Sequence, residues 1–92
     1  MKPHEMTNEE LQMAVAAARE LPWFKWKNWP TDLNDAVELW KEMGAADYHF
    51  LLYYDTDTTK FCFEPGMGQR YTDTEPARCI CIAWLMWKAA TP

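Results

Sequence analysis

The chain of 92 residues contains no serine, which excludes catalysis through a serine nucleophile. Cysteine is scarce and odd in number, because Cys62, Cys79 and Cys81 provide neither a disulfide framework nor a paired metal-ligand motif. The first ten residues hold no apolar segment typical of a signal peptide. The longest apolar run, residues 79–87, is too short to span a bilayer. These absences predict a cytoplasmic protein that does not enter a membrane.

Basic residues are also in short supply. Nine Lys and Arg face fourteen Asp and Glu, which gives a formal net charge of −5. Such a charge opposes a phosphate backbone, and the basic residues form no run, so we expect no direct binding to nucleic acid. The acidic surface would either face a basic protein surface or simply keep the domain soluble.

Apolar and aromatic residues, by contrast, are abundant. Hydrophobic residues make up 49% of the chain and aromatic residues 15%, including six tryptophans. This composition is too apolar for a disordered tail, and the length suits one small core. The sequence therefore predicts a single domain over residues 1–92.

The periodicity of apolar residues predicts an α+β fold. Thr7 and Glu10 form a capping box before an apolar stripe, and Leu21-Pro22 ends that helix. The predicted helices cover about residues 8–20, 32–43 and 75–89, and the last should be the most buried. Two aromatic segments at about 48–54 and 60–64, joined by a polar turn, predict a hairpin at the centre of a small antiparallel sheet.

A hairpin of two strands is marginally stable in water, so the helices must cover it or a further strand must join it. The segment Trp23–Trp29 is one candidate for a third strand. A second copy of the chain is another, since strands at exposed sheet edges can pair across a homodimer. The sequence leaves both alternatives open.

The most unusual stretch runs from Trp23 to Trp29 and interleaves aromatic residues with lysines. Exposed tryptophans beside lysine stems are typical of protein interfaces, whereas buried ones would wrap the core. The functional interpretation is a partner-binding surface made of Trp23, Trp26, Lys27 and Trp29. The same rings are also suited to stacking on a nucleobase.

A glycine-containing segment between the second strand and the last helix resembles a phosphate-binding turn. Its candidate ligand-binding residues are Gly66, Gly68, Arg70 and Thr72. However, Tyr71 stands where a dinucleotide fingerprint has its third glycine, and no Gly-Lys-Ser/Thr follows. The segment is therefore either a plain strand-to-helix connection or a site for a nucleotide.

No set of residues predicts catalysis, a bound metal or a cofactor. His49 and Glu64 would form an acid–base pair only if the two strands placed them opposite each other. The spacing Asp55-x-Asp57-x-Thr59 resembles the start of a calcium loop, but the glycine and glutamate that such a loop requires are missing. We therefore interpret residues 55–59 as a hairpin turn and expect a protein without enzymatic activity.

The segment from Pro30 to Trp40 resembles a signature of small phage and prophage proteins, the phage α/β/α ("ABA") sandwich domain family. In that family a tryptophan-containing stretch leads to a proline, a capped amphipathic helix, a hairpin and a closing helix, here residues 75–85. The resemblance extends over most of the chain from Trp23 onward. Trp84 and Trp87 depart from it, since smaller residues would be expected there. It implies a phage origin and a fold, but no established activity.

These observations lead to one expectation about function and three alternatives. We expect a small phage-encoded binding protein that contacts a protein or protein complex in the cytoplasm of a bacterial host, for example as an inhibitor of an antiviral CRISPR complex. The first alternative is a protein that sequesters a signalling nucleotide through the glycine-containing segment. The second is a structural or assembly accessory protein of the phage, and the third, least favoured, is a small enzyme.

Overall fold

A computed structural model describes residues 2–44, 51–64 and 70–90. The helices are α1 (Asn8–Ala18), α2 (Leu33–Gly44) and α3 (Pro76–Ala90), and the strands are β1 (Leu51–Asp55), β2 (Lys60–Glu64) and β3 (Tyr71–Asp73). Two short 3₁₀ turns, Pro3–Glu5 and Trp23–Lys25, precede α1 and α2. The predicted α+β fold with a small antiparallel sheet is confirmed.

The two ends of α1 are fixed by local hydrogen bonds. The predicted capping box is confirmed, because the Glu10 amide donates to Thr7 Oγ1 and the Thr7 amide donates to Glu10 Oε1. At the other end Glu20 adopts a left-handed conformation, and the amides of Glu20 and Leu21 donate to the carbonyls of Ala17 and Ala16. This is a Schellman motif, and it ends the helix at Ala18, two residues before the predicted end.

The closing helix α3 is the centre of the fold. Seven of its residues are buried: Ala77, Cys79, Ile80, Cys81, Ile82, Ala83 and Trp84. It contacts α1, α2, β2, β3 and the first 3₁₀ turn. The prediction that this helix is the most buried is therefore confirmed, and its apolar run forms the interior of a globular core.

The sheet has the order β1-β2-β3, and both pairings are antiparallel. The described part of the first strand begins at Leu51, so the predicted start at 48–50 lies outside the described residues. The second strand has the predicted bounds, Lys60–Glu64. Because β1 and β3 form the two edges of the sheet in this part of the chain, a homodimer through a strand edge stays a prediction.

The suggestion that Trp23–Trp29 supplies a third strand was wrong. Pro22 leads into a 3₁₀ turn in which the amides of Lys25 and Trp26 donate to the carbonyls of Pro22 and Trp23. Backbone groups that are satisfied within a turn are not available to a strand ladder. The third strand is β3, which has only three residues.

The two faces of the sheet differ in character. Leu52, Phe63 and Tyr71 are paired across the strands and therefore share one face, whereas Tyr53, Cys62 and Thr72 share the other. The first face packs against the helices, as in the edge-to-face contact of Phe63 with Trp40, whose ring centroids are 5.2 Å apart. The second face carries polar side chains that are described below.

The hairpin turn contains a strained residue that offers a test of the fold. Thr59 has a φ angle of 54°, a left-handed conformation that is unfavourable for a β-branched side chain. We expect Thr59→Gly to raise the free energy of unfolding by about 1 kcal/mol, because glycine enters this region without steric cost. Urea denaturation would measure the gain. The neighbouring control Thr58→Gly should give no gain, and equal behaviour of the two variants would contradict the assigned turn.

Candidate functional site

The segment that follows α1 presents two large aromatic rings to solvent. Trp23 is 78% exposed and Phe24 is 67% exposed. The two rings contact each other edge to face, with centroids 5.9 Å apart and planes at 89°. Single exposed apolar residues are common on proteins, but two adjacent aromatic rings that face water are typical of a binding surface. We call Trp23, Phe24, Lys25 and Lys27 the aromatic patch.

The structure divides the four residues that were predicted to bind a partner. Trp23 and Lys27 are exposed, Trp26 is half-buried, and Trp29 is fully buried in the core. The placement of Trp29 in the partner surface was therefore wrong, because its ring packs among the helices and has no surface to offer. Phe24 was missed, since nothing in an aromatic run of this kind distinguishes inward from outward rings.

The segment is held in place by hydrogen bonds on both sides of the patch. The Trp26 indole donates to the Leu21 carbonyl at 3.1 Å, and the Gln12 side chain donates to the Lys27 carbonyl at 2.9 Å. The Asn28 amide donates to a carboxylate oxygen of Asp35 at 3.0 Å. A scaffold fixed in this way displays the rings of Trp23 and Phe24 with little backbone freedom to lose on binding.

Basic side chains surround the patch although the protein is acidic. An open concavity of about 820 Å³ beside Phe24 and Trp26 is lined by four cationic residues, Arg19, Lys25, Lys27 and Lys41. Glu38 is the one carboxylate among the described residues of its lining, and it pairs with both Lys27 and Arg19. The hydrogen bond from Lys27 and the positive charges of Lys27 and Arg19 lower the pKa of Glu38, despite its partial burial. The region therefore carries a positive local charge.

A second cavity, of about 670 Å³, lies beside the edge strand β3. Arg70 and Thr72, two of the predicted ligand-binding residues, line this cavity. Gly66 and Gly68 lie outside the described residues, so their role in binding a ligand stays a prediction. The remaining lining comes from the N-terminal segment, the start of β2, β3 with the residue that follows it, and α3: Lys2, Pro3, His4, Lys60, Tyr71, Asp73, Thr74, Ile82 and Met86. We call this the basic cavity.

The polar face of the sheet adjoins this cavity. Arg70 donates to an Asp55 carboxylate oxygen at 3.0 Å and lies 3.5 Å from the sulfur of Cys62. Tyr53 donates to Glu64 at 2.9 Å, and this bond, with partial desolvation, raises the pKa of Tyr53 to about 12. In the register of the hairpin Glu64 pairs with Leu51, and His49, its predicted acid–base partner, lies outside the described residues.

The cysteines of α3 are unsuited to nucleophilic chemistry near neutral pH. Burial, with a smaller effect of the Asp73 charge, raises the pKa of Cys79 to about 12, and burial raises that of Cys81 as well. A thiol that stays protonated is a poor nucleophile and a poor metal ligand. Within the described residues, no group of three or more His, Cys, Asp and Glu is placed so as to hold a metal ion.

Arg78 of α3 holds the N-terminal segment against the sheet. Its guanidinium donates to Asp73 at 3.0 Å, to the Asn8 side chain at 2.6 Å and to the Met6 carbonyl at 2.8 Å. Arg78 and Asp73 are each only 14% exposed, so this is a largely desolvated set of charge-assisted bonds. Because the residues before Met6 form one wall of the basic cavity, Arg78 also positions that wall.

Comparison with known proteins gives no relative for this chain: no protein-family model, no curated protein and no solved structure matches it. The resemblance to the phage α/β/α sandwich domains therefore stays a prediction. No helix in the described ranges combines the length and the apolar character that crossing a membrane requires.

The burial of the cysteines can be tested with a thiol reagent. All three cysteine side chains are buried. In the native protein near pH 8 we expect, on average, less than about one thiol per molecule to react, whereas all three should react in guanidinium. The Ellman reagent would count the reactive thiols. Thr58→Cys places a fourth thiol in the exposed hairpin turn, and this one should react at once. Rapid native labelling of the original three would contradict the described core.

The role of Arg78 can be tested with a variant that keeps its charge. Arg78→Lys cannot contact Asp73, Asn8 and Met6 at the same time, so we expect it to lower the free energy of unfolding by about 2–4 kcal/mol. Arg70→Lys is the matched control, because Arg70 forms an exposed ion pair whose loss should cost less than about 1 kcal/mol. Urea denaturation would compare the two variants, and equal losses would contradict the role of Arg78 in holding the N-terminal segment.

Proposed function

We propose that this protein is a binding protein rather than an enzyme, and that it contacts a partner protein through the aromatic patch. The observation that carries the proposal is the exposure of Trp23 and Phe24, side by side, on a turn that begins at a proline. Burying either ring in a partner would gain about 2–3 kcal/mol from the apolar area removed from water. Residues of this kind are the anchors that dominate binding energy at protein interfaces.

The fixed backbone supports the same proposal. The hydrogen bonds of Trp26, Gln12 and Asn28 hold the segment on each side of the two exposed rings. A partner therefore meets a preformed surface, and less conformational entropy is lost when the complex forms.

The charges around the patch favour a partner with an acidic surface. Neither Lys25 nor Lys41 takes part in an ion pair among the described residues, so both are available to carboxylates of a partner. The rest of the protein is negatively charged, but salt at physiological strength screens charges more than about 8 Å away. We therefore propose a partner surface that combines acidic residues with an apolar pocket for an indole and a phenyl ring.

The resemblance to phage sandwich domains extends the proposal to the biological setting. If the protein is of phage origin, the partner is a protein of the bacterial host, and a complex of the antiviral defence such as a CRISPR effector is the candidate that we propose. Small size and an aromatic binding surface suit an inhibitor that blocks such a complex by contact alone.

The test replaces the two exposed rings. Proteins that bind the immobilised wild type in lysate of a bacterial host would be identified, purified and measured by isothermal titration calorimetry. We expect Trp23→Ala with Phe24→Ala to weaken the affinity by about thirtyfold or more, which corresponds to a loss of at least about 2 kcal/mol. The affinity should also fall as the salt concentration rises.

Met13→Ala is the control, because Met13 is 55% exposed on α1 and lies outside the patch. It should change the affinity by less than about twofold, and both variants should keep the thermal stability of the wild type, since none of the three side chains belongs to the core. Equal binding by the double variant and the wild type would overturn the proposal. If the captured species is a nucleic acid, the proposal that the partner is a protein is overturned as well.

A further inference from the structure

The basic cavity has the size of a small-molecule site. Its volume of about 670 Å³ falls within the range of about 300–1,000 Å³ that is usual for such sites. Four parts of the fold form its walls: the N-terminal segment at Lys2–His4, the start of β2 at Lys60, the edge strand β3 with its flanking residues, and the α3 residues Ile82 and Met86.

Its lining is cationic in a protein of net charge −5. Lys2, Lys60 and Arg70 supply three of the nine basic side chains in the sequence, and His4 adds an imidazole. Asp73 is the one carboxylate among the described lining residues, and Arg78 balances its charge at 3.0 Å. Arg70 is itself paired with Asp55 at 3.0 Å, so within the described part of the chain Lys2 and Lys60 are the lining cations that form no ion pair. The cationic groups come from positions 2, 60 and 70, so the fold brings them together from distant parts of the chain.

The remaining lining is suited to an apolar group and to hydrogen bonds. Pro3, Ile82 and Met86 give one region of the cavity an apolar character, and methionine adapts well to the face of a flat ring. Thr72 and Thr74 add hydroxyl groups next to the cationic side chains. A ligand that matches this lining has a multiply charged anionic end and a flat, largely apolar body.

We propose that the basic cavity binds a phosphorylated small molecule of the nucleotide class. The phosphate lies among Lys2, Lys60 and Arg70, which form charge-assisted hydrogen bonds to its oxygens. The base lies against Ile82 and Met86. This site differs from the glycine-containing turn that the sequence indicates, because it uses the N-terminal segment and the start of β2 in addition to Arg70 and Thr72.

The inference is independent of the aromatic patch. The residues that line the basic cavity and those that form the patch do not overlap. Loss of partner binding after substitution of Trp23 and Phe24 therefore says nothing about the cavity, and loss of nucleotide binding says nothing about the patch.

Isothermal titration calorimetry with the full chain tests the proposal. The panel consists of nucleoside 5′-phosphates, 3′,5′-cyclic nucleotides, cyclic dinucleotides, the parent nucleosides and inorganic phosphate. We expect at least one nucleotide to bind more tightly than both its nucleoside and inorganic phosphate, with an affinity that falls as salt is added. Amide chemical shifts of residues 72–74 should move in the NMR spectrum when that nucleotide is added.

The matched variants each remove two lysine charges. Lys2→Gln with Lys60→Gln should weaken nucleotide binding by about tenfold or more, whereas Lys25→Gln with Lys41→Gln should change it by less than about twofold. All four lysines are exposed, so both variants should fold. The proposal is overturned if no nucleotide binds, if both double variants lose binding equally, or if inorganic phosphate binds as tightly as the best nucleotide.

Discussion

The burial of two indole rings, Trp29 and Trp84, is the constraint on which the rest of this structure depends. Both are fully enclosed in a chain of only 92 residues, and each ring removes a large apolar area from water. The indole of Trp84 donates to Glu42 at 3.0 Å, and Glu42 lies 3.7 Å from Arg19, whose guanidinium stands 6.0 Å from the ring centre of Trp29. One continuous set of contacts thus joins α1, α2, α3 and the segment Trp23–Trp29.

The burial of Trp29 determines which side chains of the segment Trp23–Trp29 are exposed to solvent. The ring of Trp29 is enclosed in the core, and the Trp26 indole is bonded to the Leu21 carbonyl just after α1. The turn between Pro22 and Trp26 therefore projects Trp23 and Phe24 away from the core. The proposed interface is in this sense a product of core packing, since the same run of tryptophans supplies both an interior anchor and an exposed surface.

Local chemistry explains which features were predictable from the sequence. The capping box of Thr7 and Glu10, the bounds of β2 and the burial of α3 each follow from residues that are close in sequence. The strand β3 was missed because three residues carry no periodicity. Only Arg70 and Thr72 of the basic cavity were predicted from the sequence. Its other walls depend on contacts between residues that are distant in sequence, such as Arg78 and Met6, 72 positions apart.

The position of α3 has a consequence for the order in which the protein is made. This helix follows every other described element along the chain, yet α1, α2, β2 and β3 all pack against it. While the polypeptide leaves the ribosome, the earlier helices and the hairpin lack the helix against which most of them pack. The native core is therefore complete only after residues 76–90 have left the ribosome, and until then the apolar faces of the earlier elements lack their main partner.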